Sequence, residues 1–87
     1  FAYDIAVQTH VCGSPVSIAS SLQLECCLQN FCIHEHHVTN LSSENRSLGL
    51  YDYQPVNGYQ DIPDLPGIGQ ELSEKAVKEA LVHLTVK

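Results

Sequence analysis

Apolar and polar positions alternate from Phe1 to Val11. Phe1, Tyr3, Ile5, Val7, Thr9 and Val11 share one face, with Ala2, Asp4, Ala6, Gln8 and His10 on the other. A period of two in aromatic and β-branched residues predicts a half-buried strand. Such a strand either closes the domain's own sheet or pairs with a second copy through its free edge. Cys12-Gly13-Ser14-Pro15 ends it, and serine ahead of proline is a helix start, because the first helical position needs no amide donor. From Val16 to about Phe31 the period lengthens. Ile18, Ala19, Leu22, Cys26, Leu28 and Phe31 recur every three or four residues, and Leu24 and Cys27 widen the stripe. This predicts a broad-faced, largely buried helix, although Val16/Ile18 and Leu22/Leu24 also fit two short strands.

Ile33 to Thr39 fits a strand or a last helical turn, and Thr39 to Ser47 is a polar loop. Alternation returns from Leu48 to Tyr53 and predicts a short second strand. Residues 54–69 form a connector containing Pro55, Pro63 and Pro66, with turn signals at Asn57-Gly58 and Pro66-Gly67. Prolines at this density exclude a continuous helix. From Gln70 to about residue 84, the stripe Leu72, Ala76, Ala80 and Leu84, widened by Val77 and Leu81, predicts a C-terminal helix. Glu71–Lys75 and Glu74–Lys78 support it as i,i+4 pairs in the favourable order. The expectation is a single α+β domain over 1–87, with the N-terminal strand and the 48–53 strand packed on two helices.

A chain of 87 residues buries a modest share of its surface, so its stability margin is thin. Disulfides are the expected fastening, with Cys12, Cys26, Cys27 and Cys32 as candidates. Adjacent Cys26 and Cys27 rarely bond to each other, which leaves Cys12 and Cys32 each joined to one of them, or Cys12–Cys32 with two free thiols. One such cross-link contributes roughly 3 kcal/mol. The other readings are buried thiols packing as small apolar groups, metal ligation and a link to another chain. Asn40-Leu41-Ser42 and Asn45-Arg46-Ser47 are N-glycosylation sequons. With an even cysteine count, they point to a secreted, extracellular glycoprotein. The start at Phe1 and the lack of methionine fit a processed or excised segment.

Net charge is −6, with only Arg46, Lys75, Lys78 and Lys87 basic. A nucleic-acid partner is therefore not expected, since phosphate binding works by displacing counterions with cations. No apolar run approaches the roughly 20 residues of a membrane span.

His34-Glu35-His36-His37 is the densest chemistry in the chain. On a strand, His34 and His36 share one face, and Glu35 and His37 the other; on a helix, His34 and His37 align. Either geometry offers two imidazoles to zinc or copper, with His10, His83, a cysteine or a carboxylate completing the set. The bland reading is a solvated polar end to a buried segment. No phosphate loop or nucleophile elbow is present, so the chain reads as non-enzymatic, without a cofactor unless zinc or copper binds. Tyr51, Tyr53 and Tyr59, together with Phe1, Tyr3, Ile5 and Val7, are candidate interface residues.

Two short stretches resemble other families. His10–Ser14 and Glu25–Cys27 resemble fragments of the insulin chains, but that family's remaining cysteines are missing. Leu65–Gly69 resembles the turn of helix-hairpin-helix motifs, but Pro55 to Asp64 supplies no preceding helix. Neither resemblance carries a function over. The sequence reading is a secreted interaction or structural module that binds a protein partner or its own copies, a homo-oligomer. A metal-binding protein using His34, His36 and His37 is the alternative.

Overall fold

The structure, a computed structural model, describes residues 3–86. Phe1, an expected interface residue, lies outside them. Strand β1 covers Val7–Thr9, helix α1 Pro15–Glu25 and strand β2 Phe31–His34. A 3-10 turn at Val38–Leu41 follows, then the short helices α2, Ser43–Arg46, and α3, Glu74–Glu79. β1 and β2 pair in parallel, with Val7 against Phe31, Gln8 against Ile33 and Thr9 against His34. Parallel strands need a crossover between them, and α1 supplies it. The N-terminal half of the chain is thus a βαβ unit.

Helix α1 begins as its sequence requires, with Ser14 extended at the N-cap and proline in the first turn. It ends at Cys26, short of the expected Phe31, and the residues beyond turn into β2. Ile18, Ala19 and Leu22 on its inner face are buried apolar side chains, and Ser21 and Glu25 lie buried on the same side. The arm after β2 is loop-rich and returns to the unit through specific contacts. Gln23 Nε2 donates to the Pro63 carbonyl at 3.0 Å. The Gln70 side chain brackets Tyr51, accepting from its amide at 3.0 Å and donating to its carbonyl at 2.7 Å. Asn57 and Gly58 both take positive φ, 51° and 80°, as a two-residue hairpin turn demands.

Several expectations are corrected here. The partner of β1 is Phe31–His34, not Leu48–Tyr53, where only Gly49 forms an antiparallel bridge, to Leu72. The fold is therefore parallel βαβ, not a disulfide-fastened α+β sandwich. Within the chain β1 is a paired strand, so the idea that it is free to recruit a second copy loses its basis on that edge. The C-terminal helix spans Glu74–Glu79 rather than 70–84, and none of its residues is buried. A six-residue helix with no packed face has nothing to propagate it. All four cysteines are free and exposed. The 11 residues of α1 span roughly 16 Å and hold Cys12 away from Cys26 and Cys27, far beyond disulfide reach.

Candidate active site

Parallel pairing puts the C-terminal ends of β1 and β2 side by side, the place where open α/β sheets bind ligands. Thr9 and His34 are register partners, and both reach Glu25 on α1. They mark the helix-facing side. One residue further on, the pleat turns His10 and Glu35 to the opposite side. There His10 Nδ1 lies 2.9 Å from Glu35 Oε1. Gln8 Nε2 donates to the other carboxylate oxygen at 3.1 Å. The His10 hydrogen bond is the chief cause, and Gln8 the next, holding the Glu35 carboxyl below the usual glutamate range against partial desolvation. An ionised Glu35 only accepts hydrogen bonds, so His10 Nδ1 carries the proton of their shared bond. In neutral His10 the Nε2 lone pair is then left to take a proton, and in the imidazolium Nε2–H can give one.

On the helix side, Glu25 is buried and collects four contacts. Thr9 and Ser21 hydroxyls donate to Oε1, and His34 Nδ1 lies 2.9 Å from each carboxylate oxygen. His34 Nε2 approaches His36 Nδ1 at 3.4 Å, and His36 Nε2 approaches Gln54 Oε1 at 3.3 Å. The histidine cluster is thus divided. His34 and His36 share a face, as a strand requires, His10 belongs to Glu35, and His37 turns to Thr39, capping the 3-10 turn. Among the described residues no three potential ligands converge on a metal-sized site.

The other expected residues scatter. Asn40 is buried, 3% exposed, while Asn45 is half-buried with its amide 3.4 Å from the Gly13 carbonyl. Tyr53 donates to the Gly69 carbonyl at 2.7 Å, and burial, then the Tyr51 phenol, push its hydroxyl above the usual range. Tyr3, Ile5, Tyr51 and Tyr59 are exposed and Val7 half-buried; they do not form one patch around the strand ends. Glu25, Gln8 and Gln54 were missed as functional candidates, and Glu35 was singled out only as a neighbour of the histidines. The available signal was Glu25 falling on the buried stripe of Ile18 and Leu22, a carboxylate where an apolar residue was due.

The model of the enolase C-terminal domain-like family matches residues 1–76. The chain belongs to that family. No curated protein matches it, but solved structures do. A candidate dehydratase from Salmonella enterica serovar Typhimurium is 51% identical with a TM-score of 0.86, over 94% of this chain and 20% of that one. A candidate dehydratase from Zymomonas mobilis ZM4 is 45% identical with a TM-score of 0.84, over 88% and 20%. One from Mesorhizobium loti is 32% identical with a TM-score of 0.78, over 88% and 20%. The chain therefore spans about a fifth of the length of the structures it matches. In the enolase C-terminal domain-like family the βαβ unit is a segment of a TIM-barrel-like domain. Membership overturns the reading as a non-enzymatic, disulfide-fastened module, since this is a family of enzymes. Free thiols also remove one of the two supports for an extracellular location. Among the described residues no helix is long and apolar enough to cross a membrane.

Proposed function

We propose that this chain is the part of an enolase-superfamily dehydratase barrel that carries an acid–base pair, His10 with Glu35. The observation that carries the reading is the 2.9 Å contact of His10 Nδ1 with Glu35 at the adjoining C-terminal ends of two parallel strands. Barrel enzymes of this architecture place their chemistry at that end, and enolase-superfamily sites use a lysine or histidine base to form an ene-diolate. An ene-diolate arises by removing the proton next to a carboxylate. Dehydration then requires a hydroxyl on the adjacent carbon, so the substrate class is a hydroxylated carboxylic acid. Glu35 fixes the His10 tautomer, and His10 either takes the α-proton or protonates the departing hydroxyl as water.

Sites of this class also use Mg²⁺, which needs near-octahedral oxygen ligands. The described residues offer no such cage, so a metal would be held by parts of the barrel outside this chain. The test is made in a complete barrel carrying this segment. His10→Asn is expected to lower kcat/KM about 10²–10⁴-fold, the usual range for a general acid–base group, and Glu35→Gln by less. Uptake of solvent deuterium or loss of water from a panel of sugar acids is the readout. Undiminished turnover in His10→Asn would overturn the assignment.

A further inference from the structure

Hydrogen-bond accounting on the helix side of the sheet constrains a proton that the reaction chemistry does not use. Gln54 Nε2 faces two acceptors, Asp52 Oδ1 at 3.0 Å and the Asn40 carbonyl at 3.3 Å. Its amide orientation is therefore fixed, and Oε1 must face His36 Nε2. An amide oxygen only accepts, so His36 Nε2 carries a proton. At the other end Glu25 accepts from Thr9 and Ser21, and the His34 Nδ1 bond to it needs a proton as well. A third proton must sit between His34 Nε2 and His36 Nδ1. Two neutral imidazoles bring only two protons. The series of three bonds therefore closes only when it holds one proton beyond a carboxylate and two neutral rings, whichever member carries it.

We propose that Glu25, His34 and His36 form a hydrogen-bonded clamp that positions the His10–Glu35 pair. The clamp grips Thr9 on β1 and His34 on β2 from one carboxylate, and the next residue of each strand is a member of that pair. Its grip thus sets the lateral register of the two strand ends. Glu25 acts through Thr9 and His34 and is a positioning residue, and the proposal rests on the reading of His10 and Glu35 given above. Of the three bonds the 3.4 Å contact between the rings is the longest, and a neutral His34 with its proton on Nδ1 still serves Glu25. The other titratable groups facing the two rings are Cys26, Cys32 and Tyr59, which line the groove along β2. Arg46, Asp52, Tyr51 and Tyr53 line the small cavity beside His36, with Asp52 already paired to Arg46.

Two measurements in the complete barrel test the clamp. Nitrogen-15 spectra of histidine-labelled protein are expected to show His34 protonated at Nδ1 and His36 at Nε2, the tautomers that Glu25 and Gln54 require. A bare His34 Nδ1 or His36 Nε2 would overturn the clamp whatever the enzyme does. Kinetically, Glu25→Gln and His34→Leu are expected to lower kcat by about 10²-fold, the order expected when a reacting group is displaced by about 1 Å, with KM changed less than about twofold. His34→Gln, whose amide still donates to Glu25, is expected to recover most of kcat. Equal losses in His34→Gln and His34→Leu would overturn the clamp. His10→Asn is the control. Full activity there would refute the acid–base pair while leaving the spectroscopic result standing.

Discussion

Glu35 and Asp52 are the carboxylates whose surroundings hold them ionised, and each does so through a named donor. His10 and Gln8 lower Glu35. The Arg46 guanidinium, at 2.9 Å through Nε, lowers Asp52 against partial desolvation. A carboxyl depressed in the folded state adds stability that is present above its unfolded pKa and disappears as pH falls through the folded one. Acid should therefore weaken these contacts only below the ordinary carboxylate range. Both pairs are largely exposed, so solvent screens them and the effect on global stability is small. Carbon-13 titration of the Glu35 carboxyl is expected to show a midpoint below that of a free glutamate, moving up toward it in His10→Ala. A midpoint that His10→Ala leaves unmoved would show that the imidazole is not the cause. At this scale the sequence was partly legible: period-two alternation put His34 and His36 on one face and Glu35 on the other. It could not show that His10 stands next to Glu35, because that depends on a parallel pairing 25 residues away along the chain.

The start of α1 was legible because Ser-Pro is a local signal, and its end was not. Cys26, Leu28 and Phe31 continue the helical period, yet Phe31 and Ile33 belong to β2, and only tertiary pairing distinguishes the two. The cysteines misled for a related reason. Their even number suggested bonds, while the helix between Cys12 and Cys26 keeps their ends apart. Two substitutions probe what holds these elements together, both assayed by denaturant unfolding of the complete barrel. Leu22 is 1% exposed, and Leu22→Ala is expected to cost about 2–5 kcal/mol from lost burial and the cavity left behind. Gly69 has a φ of 76°, and a Cβ there would stand 2.5 Å from Pro63 Cβ. Gly69→Ala should cost about 1–3 kcal/mol from the left-handed backbone alone, with the crowding added, because Pro63 cannot swing aside. A loss under about 0.5 kcal/mol for either would mean that the Pro63–Gly69 turn or the α1 face is not packed as described.

The whole chain exposes more than a self-sufficient domain does. Its radius of gyration is 14.5 Å, against about 12 Å for a compact domain of this length. Among the described residues the buried apolar side chains are Ile18, Ala19, Leu22 and Pro63, whereas Phe31 and Ile33 on β2 stand 38% and 56% exposed. Parallel sheets are normally covered on both faces, and β2 instead borders a groove of about 610 Å³ lined by Phe31, Ile33, Tyr59 and Ile62. Cover from the remaining strands and helices of a closed barrel would account for apolar residues that are otherwise a liability. The prediction follows at the same scale. Calorimetry of the 87-residue chain alone is expected to show no cooperative transition near the roughly 60 kcal/mol of a self-contained domain this size. A hydrophobic dye should bind to it, and reducing agent should change neither result because the thiols are already free. Residues 1–76 grafted into the Salmonella enterica relative, 51% identical, should unfold within a single barrel transition and lose the dye binding. A sharp transition of full enthalpy in the isolated chain would mean that its exposed apolar faces need no barrel to cover them, and the acid–base pair would then have to work in open solvent.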